Sequence, residues 1–91
     1  MISICDASNE AFEYVQETFT FMSKAYVLSQ GDDSSEKWKH AELIEKYAWD
    51  TLEDFNKIRQ NKTDNIQTSL EHCRYFRDCA ERKLQHMNSL N

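Results

Sequence analysis

The residues best equipped for chemistry lie toward the C-terminus. His72, Cys79 and His86 recur at intervals of seven, with Cys73 beside the first. Imidazole and thiolate are good zinc ligands. On a helix, however, residues seven apart are separated axially by about 10.5 Å, too far for two of them to share one ion. That spacing is neither an i,i+4 pair nor a CxxC knuckle, and a further ligand such as His40 would have to arrive from another segment. No intramolecular metal site and no cofactor is therefore expected. Nucleophilic catalysis fares no better. A cysteine nucleophile needs a base and an orienting group converging on it, whereas His72 and Cys73 are neighbours and diverge by roughly 100° on a helix. The paired carboxylates Asp32-Asp33 and Glu53-Asp54 fall on expected connections and solvent faces. The chain is expected not to be an enzyme.

Glycine and proline usage points the same way. The 91 residues include one Gly and no Pro. Phosphate loops, nucleophile elbows and dinucleotide turns need glycine where the backbone adopts positive φ or approaches a ligand. A β-rich fold needs several tight turns, which usually draw on the same two residues. The composition suits long helices joined by two connections. No stretch approaches the ~18 uninterrupted apolar residues of a membrane span. The start, MISICDASNE, lacks a basic region and a long apolar core, so no secretory signal is expected. Three cysteines are an odd number, and Cys73 and Cys79, six apart on one helix, point in different directions. A reduced, cytoplasmic setting is the expectation, and the sequon Asn61-Lys62-Thr63 carries no weight there.

Three amphipathic segments can be read. Residues 1–5 form a short apolar leader. Asp6 or Ser8 then caps a helix over about 7–30, whose inward face is Phe12, Val15, Phe19, Met22 and Tyr26, spaced 3, 4, 3, 4. Gly31 stands where a left-handed C-terminal residue is wanted. Asp33 with Glu36 has the spacing of a capping box and opens a second helix over about 34–60, with Ala41, Ile44, Ala48, Leu52 and Phe55 inward and Trp38 and Trp49 near the edges. Asp64 with Gln67 repeats the cap spacing before a third helix over about 65–89, with Ile66, Leu70, Cys73, Phe76, Ala80, Leu84 and Met87 inward. The expected fold is all-α: a single domain over 1–91, an antiparallel three-helix bundle roughly 37 Å long, compatible with self-association.

Each helix carries a second apolar stripe. Tyr14, Phe21 and Leu28 recur every seven residues on the first; Leu43, Tyr47 and Ile58 lie on the second; His72, Tyr75, Cys79 and His86 lie on the third. A helix in a compact bundle touches two neighbours and buries a wide arc, which accounts for part of this surface. The remainder suits a partner protein or a second copy of the chain. Tyr14, Phe21, Leu28, Leu43, Tyr47 and Tyr75 are the candidate partner-binding residues.

Charge supplies the other functional clue. The formal net charge is −5, and residues 1–30 account for −3 of it, with Glu10, Glu13 and Glu17 as an acidic face. Duplex nucleic acid needs a basic footprint that the chain lacks. Arg74, Arg77, Arg82 and Lys83 interleave with Glu71, Asp78 and Glu81 and read as a solvated face, with Asp78 and Arg82 an i,i+4 pair. The leading expectation is a non-enzymatic protein-interaction module acting through the second stripes. Two alternatives stand beside it. One is an inhibitor of phage or mobile-element type that blocks a nucleic-acid-acting complex by steric and acidic occupation of a basic groove. The other is a helical pocket for a small anionic ligand, anchored by Arg74 or Arg77.

Overall fold

The computed structural model describes residues 2–30 and 36–90. They form three helices: α1 (Ile4–Leu28), α2 (Glu36–Arg59) and α3 (Ile66–Ser89). Gly31 and the Asp33–Glu36 cap pattern rest on residues outside the described ones. Cross-helix contacts fix the directions. Phe12 meets Phe55, Phe19 meets Trp49 and Tyr26 meets Trp38, so α2 runs antiparallel to α1. Asp54 meets His72, Tyr47 meets Phe76 and His40 meets His86, so α3 runs antiparallel to α2 and parallel to α1. The bundle measures 44 × 18 × 16 Å.

The helix ends show which local chemistry prevails. α1 starts earlier than its acids suggest, because Ser3 is extended and its side chain accepts from the Asp6 amide at 3.0 Å. Ile4 and Cys5 of the expected leader therefore belong to the first turn of the helix, and Asp6 lies within that turn rather than capping it. α3 is capped by Asn65, whose Oδ1 accepts from the Thr68 amide at 3.1 Å, in place of Asp64. At the end of α2, Asn61 takes a left-handed conformation with φ 54°. The Lys62 amide then reaches Lys57 O at 2.8 Å and the Asn61 amide reaches Ile58 O at 3.0 Å. This is a Schellman closure with asparagine where glycine is commoner. Asparagine tolerates that region because its short amide bonds locally.

The interior of α1 differs from the expected face. Its buried residues are Ala7, Ala11, Val15, Thr18 and Ala25, whereas Phe12 is 48% exposed and Phe19, Met22 and Tyr26 are half-buried. Both readings have helical periodicity; they differ by a rotation of the helix. Side-chain size decides between them. A line of alanines lets α1 approach its neighbours closely, and large rings then fit only at the margins. In α2, Ala41, Ile44 and Ala48 are buried as expected, with Thr51 beside them in place of Leu52, which is half-buried. In α3, Leu70, Cys73, Ala80, Leu84 and Met87 are buried, in line with the sequence pattern.

The core has two apolar clusters. One end holds Ala25, Ala41, Ile44, Ala80, Leu84 and Met87. The other holds Ala7, Ala11, Ile58, Leu70 and Cys73. Thr18 and Thr51 are fully buried, and the helix register places them near mid-height. Their hydroxyls donate to the carbonyls of Tyr14 and Tyr47 one turn back, which satisfies them without a cross-helix partner. Cys73 Sγ lies 3.6 Å from Thr51 O, and burial pushes its thiol up to about 12. That thiol stays protonated and acts as a small core group.

Two substitutions test this packing. Ala11→Leu should cost about 1–3 kcal/mol by overpacking, while Phe12→Leu should cost less than about 1 kcal/mol; urea unfolding of both variants ranks them, and the reverse order would restore the face expected from sequence. Asn61→Gly should leave stability unchanged or higher, while Asn61→Val should lower it by about 1–2 kcal/mol.

Candidate functional site

Each pair of helices meets along a seam, and the three seams are closed by different chemistry. The α1/α2 seam is aromatic. Phe12 and Phe55 lie 5.7 Å apart between ring centroids, Phe19 and Trp49 meet edge-on at 5.3 Å, and Tyr26 and Trp38 meet edge-on at 5.2 Å. These rings form a ladder along the outside of the seam. Glu45 ties its middle to one end: its carboxylate accepts from Trp49 Nε1 at 3.2 Å and from the Tyr26 hydroxyl. That second bond holds the Tyr26 phenol up at about 12. Phe12 and Trp49 remain 48% and 54% exposed. Glu42 is close enough to raise the Tyr26 phenol as well, and Glu53 stands one turn beyond Trp49, paired with Lys57 at 3.5 Å. The exposed rings are therefore bordered by carboxylates.

The α1/α3 seam is ionic. Arg74 reaches Glu10 at 2.7 Å and Tyr14 Oη at 3.1 Å, and Tyr14 itself donates to Glu10 at 2.7 Å. Arg77 holds Glu17 at 2.5 Å, Glu81 at 2.6 Å and Asp78 at 3.0 Å. The two guanidinium groups also lie over the rings of Tyr14 and Phe21, at 5.9 and 5.6 Å. So Glu10 and Glu17 face cations of their own chain, and Glu13 alone of the three acids is exposed outside these pairs. Arg74 and Arg77 are engaged by carboxylates rather than poised for an anionic ligand. Asp78 sits on Arg77, while the expected partner Arg82 lies 3.5 Å from Cys79 Sγ.

The candidate partner-binding residues divide among the seams. Tyr14, Phe21 and Leu28 are half-buried along α1/α3 and pack against the two core clusters. Tyr47 is half-buried against the cluster that holds Ile44, and Leu43 is half-buried on α2. Tyr75 alone of the six is exposed, at 59%, edge-on to Phe76 at 5.8 Å. Ile58, the other member of the α2 stripe, is fully buried. The two exposed rings that sequence reasoning placed inside or at an edge, Phe12 and Trp49, form the larger outward aromatic surface. The alternation of Ala11 with Phe12 and of Ala48 with Trp49 is the signal for it: where a small and a large residue adjoin, the small one faces a close helix contact.

The α2/α3 seam carries the remaining polar groups. His72 Nδ1 stands 3.8 Å from Asp54, whose carboxyl is pushed up by burial. They line a groove of about 330 Å³ with Thr63 and Ser69, but the Ser69 hydroxyl is committed to Thr63 at 2.5 Å. Tyr47, Cys79, Arg82, Lys83 and His86 line a second groove, of about 290 Å³. Among the described residues, no helix is long and apolar enough to cross a membrane. Comparison of the chain with protein-family models, with curated proteins and with solved structures gives no match.

The ionic seam generates a pH prediction. The Tyr14 hydroxyl and the Arg74 guanidinium hold the Glu10 carboxyl below its ordinary 4.5. A carboxyl depressed by folding stabilises above its unfolded value and loses that contribution as pH falls through its folded value. Glu10→Gln should therefore lower stability at pH 7, by no more than about 1 kcal/mol given the partial exposure of the pair. The gap from wild type should close on acidification; a gap that stays constant from pH 7 to pH 3 in chemical unfolding would remove the ion pair as its cause.

Proposed function

We propose that this chain is a non-enzymatic protein-interaction module, and that its docking surface is the aromatic ladder of the α1/α2 seam. The observation that carries this reading is the exposure of Phe12 and Trp49 on one face, each already packed against a partner ring. Rings held in place lose little freedom on binding, and clustered aromatics of this kind are common anchors of interfaces. Covering the exposed half of each ring contributes roughly half of the ~1.5–3 kcal/mol that full burial is worth.

The carboxylates at the border specify the occupant. Glu42 and Glu45 would meet their own copies across a two-fold contact, which disfavours self-association through this face, while Glu53 is already offset by Lys57. A basic amphipathic helix from another protein fits better: its apolar residues cover the rings while its lysines or arginines face the glutamates. The chain's net charge of −5 would speed such an encounter.

A pair of synthetic helical peptides tests the proposal. They share one apolar face and carry lysine or glutamate on the other. Titration followed by tryptophan fluorescence should show binding of the lysine peptide alone, weakening as salt is added. Phe12→Ala and Trp49→Ala should each weaken it about tenfold, equivalent to about 1.4 kcal/mol, with the helical circular dichroism unchanged. Equal binding of both peptides, or unaltered binding by both variants, would overturn the reading. A dimer in sedimentation that Trp49→Ala dissolves would reassign the face to a second copy.

A further inference from the structure

We infer that Glu36, His40 and His86 form a binding site for a divalent transition-metal ion, with zinc the best match to the donor set. Two ligands come from the first turn and a half of α2 and one from the last turn of α3, at the end of the bundle opposite the Asn61 closure. Glu36 and His40 are an i,i+4 pair, so both side chains project from the same face of α2. His86 arrives from α3 with its ring 5.0 Å from that of His40, edge-on at 86°. One donor atom from each of the three residues can be chosen so that all lie within 4.8 Å of one another.

The state of His40 is the second, independent observation. Its side chain is 15% exposed, and its Nε2 is buried without a hydrogen-bond partner. The Glu36 carboxylate lies 3.5 Å from that nitrogen, an ion-pair distance for a protonated ring but without hydrogen-bond geometry. A buried imidazole nitrogen left in this way costs free energy unless something occupies its lone pair or takes its proton. A metal ion does the former.

The chemistry suits zinc. Two imidazoles and one carboxylate are an accepted ligand set, with bonds of about 2.0–2.2 Å and a fourth position left to water. Ligand atoms around a tetrahedral ion stand closer than the widest separation found here, so one side chain must move inward. His86 and Glu36 are both exposed and have room to do so. Lys83, which shares the groove beside His86, opposes a cation, and the Glu36 carboxylate offsets it. Cys79 lines the same groove but sits two turns back on α3, about 10.5 Å along the axis, which leaves it outside the ligand set. The bound ion would tie the start of α2 to the end of α3.

The test uses the full chain with Cys5→Ser, because Cys5 is an exposed thiol that binds metals on its own. Titration with zinc chloride by calorimetry should give one ion per chain, and zinc should raise the melting temperature. Cobalt(II) should show the visible bands of a nitrogen- and oxygen-ligated ion without a thiolate charge-transfer band. His86→Ala removes an exposed side chain and should weaken binding about tenfold or more with the metal-free melting temperature retained. Glu36→Gln should weaken it too. A thiolate band, zinc affinity unchanged by His86→Ala, or absence of binding to the parent chain would each overturn the assignment. The peptide experiment on the α1/α2 face is independent of all these outcomes.

Discussion

The dimension on which the rest of this structure depends is the narrow interior line of α1. Ala7, Ala11 and Ala25 are fully buried there, with Val15 and Thr18 between them. Such a line carries little apolar volume of its own. It stabilises the bundle by letting three helices approach closely, so that Ile44, Ile58, Leu70 and Met87 from the other two helices fill the space between. Close approach leaves no room for rings at the centre. The aromatic residues of α1 are consequently displaced sideways, Phe12, Phe19 and Tyr26 toward α2, and Tyr14 and Phe21 toward α3. What the seams are made of follows from that displacement.

The two sideways directions end differently because the facing helices differ. Toward α3, the rings meet Arg74 and Arg77, whose guanidinium planes cover them and whose charges are met by Glu10 and Glu17. Each arginine closes the seam with both its apolar face and its charge. Toward α2, the rings meet other rings, and Glu45 bonds Tyr26 and Trp49. Among the described residues, no arginine lies over Phe12 or Trp49 as Arg74 and Arg77 lie over Tyr14 and Phe21. The same aromatic stripe content thus yields a seam closed by ion pairs over residues 10–21 on one side, with a groove of about 380 Å³ left beside Val27 and Leu84, and a ring-lined seam on the other; the difference lies in α3 carrying arginines where α2 carries Trp49 and Phe55.

How much of this could be read from the sequence divides along the same line. Helix number, order and approximate length were legible, because one glycine and no proline in 91 residues leave little else. The inward face of α3 was legible too, since Leu70, Cys73, Ala80, Leu84 and Met87 leave one apolar arc. On α1 the periodicity was satisfied equally by Phe12-Val15-Phe19 and by Ala11-Val15-Thr18, and weighting by hydrophobicity favours the first. Only the approach of the neighbours favours the second. Two N-caps were misplaced for a related reason: Ser3 and Asn65 compete with nearby Asp6 and Asp64, and one short polar residue is a credible cap as much as the next. The sequence argues against the cluster of His40 with His86 because it joins residues far apart along the chain; its local trace is the i,i+4 spacing of Glu36 and His40, where Glu36 reads as part of a capping box.

The open seam is not an overflow of hydrophobic residues. Mean hydropathy is −0.82, and the aliphatic residues Ile44, Ile58 and Leu70 are enclosed almost completely. Ile4, Val27 and Leu90 are exposed as well, but the exposed rings differ from them in that Phe12, Trp49 and Tyr75 each stand against another ring. Aromatic side chains tolerate such half-exposed positions because they are rigid and hold their place without full enclosure. The same rigidity makes them effective when a second molecule completes the enclosure, since the ordering has already been done by folding.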